Sequence, residues 1–137
     1  MSKRIVVLGS LLSLAALLCA ASFLHVEALE RELEEMACAK RIEFRKAFEE
    51  AAADRVRIGS SVVASKGFLV FGRVTGKISI FVEHSGAGRQ DRFVEGYEFF
   101  YQRSEDGWDE TDSGRCTSEL CTLQGKKVLE ALDVGPG

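Results

Sequence analysis

The stretch Ile5–Val26 (IVVLGSLLSLAALLCAASFLHV) runs for 22 residues without Asp, Glu, Lys or Arg, and it constrains the chain more than any other feature. As a helix rising about 1.5 Å per residue, it covers the roughly 30 Å hydrocarbon core of a bilayer. A helix is required there because lipid offers no partners for open backbone groups. Lys3 and Arg4 precede the stretch, and Glu27, Glu30, Glu32, Glu34 and Glu35 follow it. The positive-inside bias therefore predicts a cytoplasmic or matrix tip over residues 1–4 and a single-pass transmembrane helix over 5–26. The remainder is then extracytoplasmic, or in the intermembrane space. A cleaved signal peptide is the alternative. Its apolar core is usually shorter, about 7–15 residues, but Val26-Glu27-Ala28 and Ala20-Ala21-Ser22 offer small-residue cleavage patterns. Lipidation at Cys19 fits less well, because Leu17-Leu18 stands where a small residue should precede the cysteine. Either leading reading exports the rest of the chain.

What is exported is one modest domain. The chain has 137 residues, 46% hydrophobic and 28% charged, with a single proline, which excludes a two-domain enzyme and extensive disorder. From Glu27 onward 16 basic and 21 acidic residues leave a net charge of −5. Nothing there resembles a basic nucleic-acid footprint, so no nucleic-acid partner is expected.

Residues 27–57 read as a long helix. Leu29, Leu33, Met36, Ala37, Phe44, Ala47, Phe48, Ala51 and Ala52 recur mostly at three- and four-residue steps. Opposite charges four apart (Glu27/Arg31, Arg31/Glu35, Arg45/Glu49, Lys46/Glu50) add a few tenths of a kcal/mol each. The first half is charged nearly all round and predicts a stalk above the membrane. The second half, with Phe44 and Phe48, suits docking on a sheet, and Gly59-Ser60-Ser61 is expected to end the helix.

Residues 58–137 then predict an α+β domain. Val62–Phe71, Lys77–Glu83 (KISIFVE), Arg92–Arg103 and a short Trp108–Thr111 segment have strand character, punctuated by Gly72, Ser85-Gly86-Ala87-Gly88 and Asp106-Gly107. Short connections between consecutive strands imply an antiparallel meander of about four. Ile78, Ile80 and Val82 mark one face of their strand, and Phe93, Tyr97, Phe99 and Tyr101 one side of the next. Ser118–Leu132 suggests a C-terminal helix, weakened by Gly125.

Few residues point to chemistry. Gly86-Ala87-Gly88 lacks the third glycine and following helix of a phosphate cradle. Glu105, Asp106, Asp109, Glu110 and Asp112 lack the ligand order of an EF-hand loop. Ser60, Ser61 and Ser85 have no nucleophile-elbow context. Cys38, His84, Cys116 and Cys121 show no zinc-type pairing. No enzyme, metal, cofactor or small-molecule ligand is expected. Cys116 and Cys121 are five apart in the exported part, where oxidation favours a local disulfide; two free thiols are the alternative. Aromatic residues crowd the last hairpin, and Phe100, Tyr101 and Trp108 form a candidate partner surface. Phe100 opposes Phe99 and Tyr101 across the pleat, so it faces either a partner or the terminal helix.

The order of a basic tip, one span, a long helix and a strand meander is similar to the small single-span cytochrome oxidase assembly factor family of mitochondria and bacteria. The similarity is carried by Phe68–Trp108. There Gly72 and Gly76 precede the KISIFVE strand, and a loop, a further strand and Asp106-Gly107 follow. Arg92-Phe93 stands where the family pattern favours tryptophan, and no proline follows the helix. The resemblance implies a non-catalytic, membrane-tethered helper that binds an immature respiratory complex, with an integral membrane protein as partner. An exported ligand-binding module or small enzyme is the other functional class.

Overall fold

Between Lys3 and Glu50 the chain contains no proline and one glycine, Gly9, so nothing in it breaks a helix. A computed structural model, which describes residues 2–50, 54–66, 73–85 and 92–134, shows this stretch as a single helix, α1 (Lys3–Glu50). Its N-terminal part is long and apolar enough to cross a membrane, and none of the qualifying apolar window is buried. Further along, Leu29, Leu33 and Ala37 are 2%, 0% and 0% exposed. Their four-residue spacing makes a narrow stripe that the flanking glutamates and arginines leave dry. The expected stalk is therefore corrected: packing on the sheet core begins at Val26, which is partly buried, and Leu29 is the first fully buried position of α1. Phe44 and Phe48 dock as expected. The Phe44 ring lies 4.8 Å from that of Tyr97 and 6.0 Å from that of Phe99. Phe48 lies 4.9 Å from His84.

The helix ends at Glu50 rather than residue 57, and the chain is extended again by Asp54. Four strands, β1 (Asp54–Lys66), β2 (Val74–Ser85), β3 (Arg92–Ser104) and β4 (Gly107–Cys116), form an antiparallel meander in the order β1-β2-β3-β4. Gly59-Ser60-Ser61 does not terminate α1. It lies inside β1, paired with Phe81, Ile80 and Ser79. β2 begins earlier than expected, at Val74, and takes in Gly76; β4 extends well beyond Thr111. Residues 67–72, which include the end of the expected first strand, and the loop at 86–91 lie outside the described residues. The β3–β4 turn falls where Asp106-Gly107 places it. Ser104 pairs with Gly107, whose φ of 126° is open to glycine and strained for other residues.

Strand alternation divides the apolar residues between two faces. Ile58, Ala64, Ile78, Ile80, Val82 and Tyr101 form one core with α1. The opposite face carries Phe81 and Val94, and α2 (Glu119–Val134) crosses it. Ser118 caps α2, its Oγ accepting the Cys121 N–H at 3.2 Å. Gly125 is what lets the helix approach: a Cβ there would stand 2.8 Å from the Phe81 ring and 2.9 Å from Val94. The result is three layers, helix on sheet on helix.

Candidate functional site

The candidate surface Phe100, Tyr101 and Trp108 is divided by the sheet. Tyr101 is 5% exposed and belongs to the α1 core. Trp108 packs against the same core, with its indole Nε1 donating to Glu32 at 3.0 Å. Arg103 pairs with that carboxylate and lies 5.4 Å over the indole. Tyr101 is therefore corrected from surface to core, because odd-numbered β3 residues share the face that α1 covers, and Trp108 of β4, paired with Arg103 of β3, is half-buried against that same face.

Phe100 points the other way. α2 covers the half of that face around Gly59, Phe81, Val94 and Gly96, and leaves the other half open. There Val63, Ser65, Thr75, Lys77, Phe100 and Thr111 line an open cleft of about 520 Å³. Val63 is half exposed and Phe100 is 36% exposed. Lys77 pairs with Glu98 at 2.9 Å, and its ammonium lies 5.9 Å from the Phe100 ring centre. The cleft thus combines an apolar floor with one neutralised ion pair, which suits an apolar side chain from a partner better than a charged ligand.

A second cluster lies under the far end of α1. His84 is packed between Phe48 and Phe93, and its Nε2 is 3.5 Å from a Glu95 carboxylate oxygen. The Tyr97 hydroxyl donates to Glu95 at 2.7 Å, and Arg115 pairs with Glu95 at 3.0 Å. Burial pushes the Glu95 carboxyl up, but the Tyr97 hydrogen bond and the charges of Arg115 and His84 outweigh it and hold it below its ordinary value. Burial, then the bond to Glu95 and its charge, push the Tyr97 hydroxyl up to about 12 against the opposing pull of Arg115. Burial and the carboxylates of Glu110 and Glu43 do the same to Tyr101, also to about 12.

These directions fix the pH response. The tyrosines hold their protons more tightly when folded, so the stability they contribute is complete below pH 10. It is lost as pH climbs from 10 through about 12. Glu95 behaves oppositely: its contribution is present above the ordinary carboxylate range and is lost as pH falls through its lowered value. The chain has only these two tyrosines. Ultraviolet titration is therefore expected to show phenolate forming near pH 12, together with loss of sheet. Titration near pH 10 with the sheet intact would contradict this packing.

Cys116 and Cys121 form a disulfide, the reading that export favours over two free thiols, with Cα atoms 6.1 Å apart. One cysteine ends β4 and the other sits in the first turn of α2, so a strand-to-helix corner brings together residues that one regular helix would separate. Cys19 and Cys38 are free and exposed. Comparison with known proteins gives no assignment to set beside this geometry: no family model, no curated protein and no solved structure matches the chain.

Proposed function

We propose that the chain is a single-pass membrane protein whose helix–sheet–helix domain serves as a non-catalytic interaction module for an integral membrane protein beside its own span. The N-terminal tip lies on the cytoplasmic or matrix side and the domain on the other. The observation that carries this reading is the continuity of α1 from its exposed apolar half into the core at Leu29. A rigid helix, with no flexible linker, holds the sheet against the membrane surface and restricts its reach to what lies there. The open cleft around Phe100 supplies an apolar contact, and the likeness to cytochrome oxidase assembly factors supports a partner in a respiratory complex under construction.

Site-specific photocrosslinking in native membranes tests the proposal. A photoreactive residue in place of Phe100 is expected to give an adduct with a membrane-embedded chain, and one in place of Glu130, exposed on α2, is not. Phe100→Ala should abolish the association at a cost to stability of about 1–2 kcal/mol, leaving the sheet folded by circular dichroism. In sealed vesicles of known orientation, Cys38 should react with an impermeant maleimide only from the extracytoplasmic side. Adducts with soluble chains only, or a soluble mature protein beginning near Leu29, would overturn the reading.

A further inference from the structure

We propose that Cys116, Cys121 and Glu98, once the disulfide is reduced, form a binding site for a thiophilic d10 cation such as zinc. The two sulfurs and a Glu98 carboxylate oxygen all lie within 4.8 Å of one another, although they come from three separate elements. β4 delivers Cys116, the first turn of α2 delivers Cys121, and the middle of β3 delivers Glu98. The site is floored by Gly96, which pairs with Cys116; a Cβ there would stand 2.7 Å from the Cys121 sulfur. The only side chain small enough for that position is the one present. The Ser118 hydroxyl, 3.9 Å from the Cys116 sulfur, caps α2 through the Cys121 N–H and so fixes the helix end against the strand.

Charge and coordination chemistry agree with this assignment. As a disulfide, the pair carries no charge and offers no thiolate. Reduction by a dithiol transfers two electrons and two protons to the sulfurs, and the dithiol leaves as its own disulfide. The two resulting thiols then release their protons as the sulfurs bind the cation. Cys121, in the first turn of α2, lies where the positive end of the helix dipole favours a thiolate. Two thiolates and one carboxylate around a divalent cation leave a single negative charge. Lys77, 2.9 Å from Glu98, neutralises it. Zinc–sulfur bonds of about 2.3 Å place tetrahedral thiolates roughly 3.7 Å apart, a separation that side-chain rotation reaches from the present Cα spacing of 6.1 Å. Three protein ligands leave a fourth position for water. The bridge closes a short ring and so constrains few unfolded conformations, which makes its reduction compatible with a folded sheet.

The test uses the full chain in detergent micelles, in a Cys19→Ala/Cys38→Ala background that removes the two free thiols. After anaerobic reduction with a phosphine, Zn2+ and Cd2+ are titrated in turn. The expected result is one cation per chain, with proton release, a raised melting temperature and, for Cd2+, thiolate charge-transfer absorption. The oxidised protein and the Cys116→Ser/Cys121→Ser variant are expected to show none of these. Glu98→Gln should weaken binding by roughly tenfold or more while keeping the Cd2+ absorption, and Glu98→Asp should restore much of the loss. Circular dichroism of each reduced sample verifies that the sheet is folded. Absence of saturable binding by the folded, reduced chain overturns the proposal. So does equal binding by the oxidised chain, the double-serine variant or Glu98→Gln.

Discussion

Replacing Leu33 by Asp is expected to unfold the sheet domain while the apolar half of α1 stays helical. Leu33 is fully buried, and its methyl groups lie so close to Gly76 that a Cβ there would stand 2.8 Å away. A carboxylate at that point is sealed from water. The cost of several kcal/mol approaches the roughly 5–15 kcal/mol that holds a small domain together. Leu33→Ala removes only packing and should cost about 2–5 kcal/mol. Leu17→Ala, at a position 67% exposed in the apolar half, should leave the unfolding transition of the domain unchanged. Trp108 is the only tryptophan, and its hydrogen bond to Glu32 of α1 makes its fluorescence a direct reporter of docking. Urea titration in micelles gives the comparison. A wild-type midpoint for Leu33→Asp would show that this part of α1 is not packed on the sheet.

Gly125→Ala is expected to destabilise the protein, although alanine is the better helix former. The gain in helix propensity is about 1 kcal/mol. Against it stands a new methyl group 2.8 Å from the ring of Phe81 and 2.9 Å from Val94. Phe81 is fully buried and cannot swing aside, so α2 must lift from the sheet; overpacking of this kind costs about 1–3 kcal/mol. Gly125→Val enlarges the clash and should cost more. A synthetic peptide of residues 118–134 gives the control, because there the alanine variant should be more helical than the parent. A stabilised full-length Gly125→Ala protein would mean that α2 does not lie where the glycine places it.

The outline of this protein was legible in its residues because the signals are local. The uncharged run over Ile5–Val26 reads as a helix long and apolar enough to cross a membrane, and it is helical in the structure. Alternation in KISIFVE and in Phe93–Tyr101, with Asp106-Gly107 between the last strands, is enough for an antiparallel meander. A disulfide between Cys116 and Cys121 is one of two readings, favoured by the expected export of that region, and the bridge is present. The opposition of Phe100 to Tyr101 was likewise implicit in the period of two.

Tertiary structure decided everything that depends on what lies across from a residue. Gly59-Ser60-Ser61 looks like a helix terminator in isolation, yet it lies in the middle of β1, paired with β2. Its small side chains admit Val128 of α2 over Gly59 on one face and Arg41 of α1 onto Ser60 on the other. The glutamate-rich residues after Val26 look like a solvated stalk because their charges outnumber Leu29, Leu33 and Ala37. A stripe one residue wide is enough to dock when a sheet is there to meet it. Gly125 reads as a flaw in a helix until Phe81 is placed beneath it. Glu98 has no relation in sequence to either cysteine, and only the pairing of β3 with β4 and the corner into α2 bring its carboxylate to their sulfurs. Periodicity and propensity act between neighbours in the chain, whereas close approach and charge pairing act between neighbours in space.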